Sequence, residues 1–92
     1  MINEVTVKMI VMGTVQGVGF RWATRQAAIK LQIAGYAKNL YNGQVKIVAQ
    51  GKHANLMHFI KIIKASPTPY GHVNKVKIQK IHRIPYSLFI VR

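Results

Sequence analysis

From Val5 the chain alternates, with Val5, Val7, Met9 and Val11 on one parity and Thr6, Lys8, Ile10 and Met12 on the other. Period-two patterning puts successive side chains on opposite faces, so it predicts a first strand that stops at Gly13. From Arg21 to about Leu31 the period lengthens. Thr24, Ala28 and Leu31 share one helical face, filled in with alanine, until Gly35 breaks the pattern. Two short strands follow, Tyr36 to about Leu40 and Gln44 to Ala49, joined around Asn42-Gly43, where both residues tolerate positive φ. In the second, Val45, Ile47 and Ala49 alternate with Lys46, Val48 and Gln50, and Gly51 is expected to end it. Leu56, Phe59, Ile60 and Ile63 fall at i, i+3, i+4 and i+7, the apolar stripe of a second helix. Ser66-Pro67-Thr68-Pro69 closes that helix. Val73, Val76, Ile78 and Ile81 suggest a further strand, and Leu88 to Val91 a short final one.

The element order is β-α-β-β-α-β with an added terminal strand. With right-handed crossovers it gives an α+β, ferredoxin-like split β-α-β sandwich: an antiparallel sheet with both helices on one face. No repeat, linker or low-complexity tract interrupts it, so residues 1–92 are expected to form a single domain. Such a fold hosts many activities, and function has to be read from particular residues.

Composition narrows the chemistry. There is no cysteine, which rules out disulfides, thiolate nucleophiles and cysteine metal sites. A single carboxylate side chain, Glu4, excludes paired-acid catalysis and carboxylate-rich metal sites. The four histidines, His53, His58, His72 and His82, lack metal-ligand spacing, so no metal and no cofactor are expected. The apolar runs are too short to span a membrane and no signal peptide is evident, which points to the cytosol. Fourteen Lys or Arg give a formal net charge of +13. That surface attracts anions of every kind, but the cations are spread along the chain and read as a solvated surface rather than a dedicated nucleic-acid patch.

One stretch concentrates anion chemistry: Gly13-Thr14-Val15-Gln16-Gly17-Val18-Gly19-Phe20-Arg21. Glycines let backbone N–H groups converge on a small anion where side chains would block them. The helix that starts just beyond turns its positive end toward the same place, and Arg21 adds a forked, permanently charged donor. A cation in the first turn of a helix is disfavoured by the dipole, which makes a bound anion the better explanation for Arg21. On physics alone the stretch is a cradle for a phosphoryl group.

The same residues resemble the acylphosphatase family. Its first signature, an apolar residue, any residue, then G-x-V-Q-G-V-x-F-R, is met in full by residues 11–21. Its second, G-aromatic-small-K-N, three residues, G-x-V, five residues, G, is met by Gly35-Tyr36-Ala37-Lys38-Asn39, Gly43-Gln44-Val45 and Gly51. Two long signatures in the right order and spacing are far more specific than a lone glycine-rich loop.

The resemblance implies hydrolysis of an acyl phosphate to a carboxylate and inorganic phosphate, the latter a competitive inhibitor. It implies that the backbone amides of Gln16, Gly17, Val18, Gly19 and Phe20, with the Arg21 side chain, hold the phosphoryl oxygens. Asn39 would hold the attacking water, and Thr24 would support the site from one turn along the helix. A carboxylate leaves without a general acid, so positioning and charge stabilisation suffice.

Bland readings stand beside these. Asn39 suits a strand end, Thr24 could simply pack or bond its own backbone, Lys38 reads as solvated, Trp22 as hydrophobic cover beside the loop and Phe59 as core. Two departures from the family concern shape: Leu31-Gln32 replaces Leu-Gly, and residues 65–69 replace a Gly-Pro-Pro loop. A residue other than glycine in a left-handed cap at Gln32 would cost about 1 kcal/mol. The competing function is an RNA- or polyanion-binding module on the same fold, but the K/R-G-F/Y-G/A-F-V segment of the RNA-recognition motif is missing. A third reading, the acylphosphatase-like part of a larger carbamoyl-transfer protein, yields to a free-standing, monomeric enzyme that ends at Arg92.

Overall fold

The structure, a computed structural model, describes residues 4–92. Alternation in the first strand is realised as β1 (Glu4–Thr14), whose odd-numbered Val7, Met9 and Val11 are buried. Helix α1 (Phe20–Lys30) leads to β2 (Ala34–Asn39), the Asn42-Gly43 turn and β3 (Val45–Lys52). Helix α2 (His53–Ala65) follows β3 with no intervening residue, and β4 (His72–Lys80) and β5 (Phe89–Val91) complete the chain.

The sheet order is β4-β1-β3-β2-β5. Its first four strands pair antiparallel, as expected, while β5 pairs parallel to β2, so the five-stranded sheet is mixed. The physical reason lies in connectivity. The chain leaves β4 on one edge and must cross the sheet to reach the other, where it arrives running in the direction of β2.

One apolar layer holds the helices to the sheet. Val7, Met9 and Val11 from β1 and Val45, Ile47 and Ala49 from β3 meet Phe20, Ala27 and Ala28 of α1 and Leu56, Phe59, Ile60 and Ile63 of α2. Full burial of a large apolar side chain such as Phe59 contributes about 1.5–3 kcal/mol. Helix α1 lies over β2 and β5, and α2 over β3, β4 and β1. The second helix buries all four residues of its predicted stripe.

Three details differ from the sequence pattern. Gly51 does not end β3: it pairs with Val5, and the space a side chain would need is filled by the Ile33 side chain. Val73 and Val76, three apart, both pack on the core because the β1–β4 register shifts between Met12 and Gly13, a bulge that restores their common face. Ile81 lies outside β4, although its N–H still donates to the Thr6 carbonyl at 2.9 Å.

Candidate active site

The glycine-bearing loop occupies residues 15–19, between β1 and α1. Its ends are anchored by burial: Val15 and Phe20 are both 1% exposed. Its middle is tied by Gln16, whose Nε2 donates to the carbonyls of Leu40 and Gln44, both at 2.8 Å. Those carbonyls flank the β2–β3 turn, so this one side chain holds the loop against the end of β2. Gly17 and Gly19 take φ of 75° and 74°, the left-handed region that glycine enters without strain.

The backbone donors are what this conformation leaves over. Among the described residues, none of the amides of residues 16–20 donates to another protein group. Helix α1 has no side-chain cap and no acidic residue in its first turn. Its positive end is therefore uncompensated by the protein.

Arg21, Gly17, Gly19, Phe20 and Asn39 line one cleft of about 770 Å³. Arg21 is half-buried and its Nη1 donates to the backbone oxygen of Arg92. Asn39 is the last residue of β2, opposite Val45, on the same face as the buried Ala37. Its Oδ1 is shielded from solvent and makes no hydrogen bond to the protein. A buried acceptor left unpaired costs about 1–3 kcal/mol, which a donor entering the cleft would recover.

Thr24 is fully buried on the inner side of α1, and its Oγ1 likewise has no protein partner. It does not line the cleft. Trp22 does line it, as an exposed apolar wall beside the loop (61% exposed). Lys38 and the four histidines are exposed, and no group of ligating side chains is arranged to hold a metal among the described residues.

Sequence reasoning missed Arg92. Its guanidinium lies 4.1 Å from the centroid of the Tyr36 ring and donates to the Tyr86 hydroxyl at 2.6 Å, while its N–H donates to the Ala37 carbonyl at 2.8 Å. These contacts fix the backbone oxygen that Arg21 engages. No local motif marks the residue, because every partner except Tyr86 is far away along the chain.

The arrangement defines a class. A ferredoxin-like sandwich with free loop amides, an arginine and a strand-end carboxamide around one cleft has the donor set of a protein that takes a small anionic substrate. The acylphosphatase family model matches residues 7–90, and the chain belongs to that family. It is 54% identical over 76 residues to an acylphosphatase of Lactobacillus gasseri, which covers 83% of this chain and 84% of that protein. Among solved structures, an acylphosphatase from Coxiella burnetii superposes with a TM-score of 0.92 at 38% identity, over 98% of this chain and 94% of that one. The acylphosphatase from Bacillus subtilis gives 0.90 at 30% identity, over 96% and 98%. Acylphosphatase activity is the function these relationships support.

Proposed function

We propose that the chain hydrolyses the carboxyl–phosphate bond of acyl phosphates by the following division of labour. The amides of Gln16, Gly17, Val18, Gly19 and Phe20, with the Arg21 guanidinium, hold the phosphoryl oxygens and stabilise the charge that grows on them in the transition state. Asn39 accepts a hydrogen bond from the attacking water through Oδ1 and aims its oxygen at phosphorus. A neutral carboxamide is no base, so the water's proton passes to the phosphoryl group, and the carboxylate leaves unprotonated. Thr24 supports α1 from the buried side without touching substrate. The observation that carries this reading is the unpaired, shielded Asn39 Oδ1 in the same cleft as Arg21 and the free amides.

The substrate is an acyl phosphate, the product phosphate inhibits competitively, and neither metal nor cofactor takes part. The enzyme acts as a single-domain cytosolic monomer. No described helix is long and apolar enough to cross a membrane. Specific nucleic-acid binding finds no support, since β1 and β3, at the centre of the sheet, carry no aromatic residue on which a base could stack.

Phosphate release from acetyl phosphate and benzoyl phosphate tests the proposal. Asn39→Ala should lower kcat at least about 100-fold, the loss that a misplaced reactant carries, while retaining inhibition by phosphate, and Arg21→Ala, which removes a preorganised donor, should lose both. Folded wild-type protein without hydrolysis above background, or Asn39→Ala at the wild-type rate, would overturn it.

A further inference from the structure

The cleft is much larger than a phosphoryl group requires, and part of its lining is unlike the loop. Besides Gly17, Gly19 and Asn39 it is lined by Trp22, Ile29, Leu88 and Ile90, together with Arg25. Trp22, Ile29, Leu88 and Ile90 are all among the large apolar side chains left exposed, so this wall is not spent on the core. Besides Arg21, Arg25 is the only charged residue lining the cleft among the described residues.

Arg25 follows Arg21 by four positions on α1. Residues so spaced lie one above the other, about one turn or 5.4 Å apart along the axis. Like charges in that relation repel, and no carboxylate side chain among the described residues sits between them, Arg21 having only the Arg92 backbone oxygen as a partner. The one acidic side chain, Glu4, is engaged with Arg83 at 3.0 Å. Arg25 makes neither a hydrogen bond nor an ion pair among the described residues, and its guanidinium is instead held 5.6 Å from the Trp22 ring centroid. That stacking leaves the guanidinium edge donors free while limiting where they point.

We infer that Arg25 binds a second anionic group at the distal end of the acyl chain, so that the enzyme prefers acyl phosphates of the ω-carboxyacyl class over those with a neutral acyl group. The phosphoryl end lies at the loop and Arg21, and a short alkyl spacer spans the turn to Arg25 along the apolar wall. A ligand with two anions bridges the two arginines and removes their repulsion. A neutral acyl group leaves Arg25 unpaired. The inference rests on the acyl phosphate reading of the site.

The test compares kcat/KM for succinyl phosphate with that for the methyl ester of its distal carboxylate, which keeps the phosphoryl charge and lacks the second anionic group. Wild type should favour the substrate that carries the second anionic group, and Arg25→Gln should lower this preference about 10- to 150-fold, the range of a charge-assisted hydrogen bond. Arg25→Lys should recover part of it. Lys64→Gln, which removes the same charge from the exposed last turn of α2, should leave the preference unchanged. Binding of the stable analogue 4-oxo-5-phosphonopentanoate, measured by calorimetry on the same variants, separates the two proposals. Preferential, Arg25-dependent binding supports the inference even if nothing is hydrolysed, a result that would instead sink the catalytic reading. Hydrolysis with an equal preference in wild type and Arg25→Gln, or an equal loss in Lys64→Gln, overturns the inference and leaves the catalytic reading standing.

Discussion

Gln32 has φ of 57° and Ser66 φ of 71°, the two described residues other than glycine with positive φ. Both follow helices, at the positions where the family pattern places glycine. Their side chains differ in what they recover. Ser66 Oγ donates to the Thr68 carbonyl at 2.7 Å, whereas exposed Gln32 makes no side-chain hydrogen bond among the described residues. Left-handed backbone costs a residue with a Cβ about 1–2 kcal/mol. Glycine's extra freedom in the unfolded chain takes back about 0.4–1 kcal/mol. Gln32→Gly should therefore stabilise the protein by about 0.5–1 kcal/mol, a rise in Tm of roughly 2–8 °C for a domain of this size. Ser66, with ψ of 124°, lies outside the left-handed helical well, and Ser66→Gly exchanges that different strain for the loss of its hydroxyl bond, so its gain should differ from that of Gln32→Gly. Thermal unfolding by circular dichroism checks both, and equal gains in the two variants would contradict the argument.

At the scale of elements, the site depends on how β5 is delivered. The chain between β4 and β5 crosses the open face of the sheet and is pinned there by Gln50. Its Oε1 accepts from the Ile84 N–H at 2.9 Å and from Thr6 Oγ1 at 2.6 Å, while its Nε2 donates to the Ile84 carbonyl at 3.1 Å. Gln50 is 2% exposed although its parity places it on the polar face. Beyond this anchor, Tyr86 meets Tyr36 edge to face at a centroid distance of 5.9 Å, and Arg92 reaches Arg21. Gln50→Ala leaves the Ile84 amide and carbonyl without their partner, so it should cost about 2–4 kcal/mol, measured by urea unfolding. It should also raise KM, since β5 brings Leu88 and Ile90 to the cleft and Arg92 to Arg21. Unchanged stability would show that the crossing segment is held by something other than this network.

Charge dominates the whole molecule. With fourteen cationic side chains against one acid, the folded state repels itself, and the single, largely exposed Arg83–Glu4 ion pair among the described residues offsets little of that repulsion. Two effects of salt should separate cleanly. Sodium chloride should raise Tm gradually by screening. At matched ionic strength phosphate should add a saturable increment, about 1.4 kcal/mol at ten times its Kd, or roughly 5–10 °C. Arg21→Ala should abolish the saturable part and keep the screening part. Identical responses to chloride and phosphate would mean that the loop has no specific hold on the anion.

Much of this protein follows from local order along the chain. The alternation in β1, the stripe of α2, the Asn42-Gly43 turn and the glycine loop each lie within a short window, where hydrophobic period and backbone freedom act without distant partners. Arg21, Asn39 and the loop amides were legible for the same reason, as parts of two contiguous signatures. What spans the chain was not. Gly51 reads locally as a strand end, yet its missing side chain makes room for Ile33. Gln50 reads as a solvated residue, yet a segment more than thirty positions away buries it. Arg92 reads as a surface cation, yet Tyr36, Ala37 and Tyr86 fix it beside Arg21. Sequence by itself determined which elements form and which residues are candidates for the phosphoryl chemistry. Tertiary structure alone decided the parallel edge strand, the unpaired Asn39 oxygen and the meeting of α1 with Asn39, Leu88 and Ile90 around one cleft. Those depend on contacts between groups far apart along the chain, which no local pattern encodes.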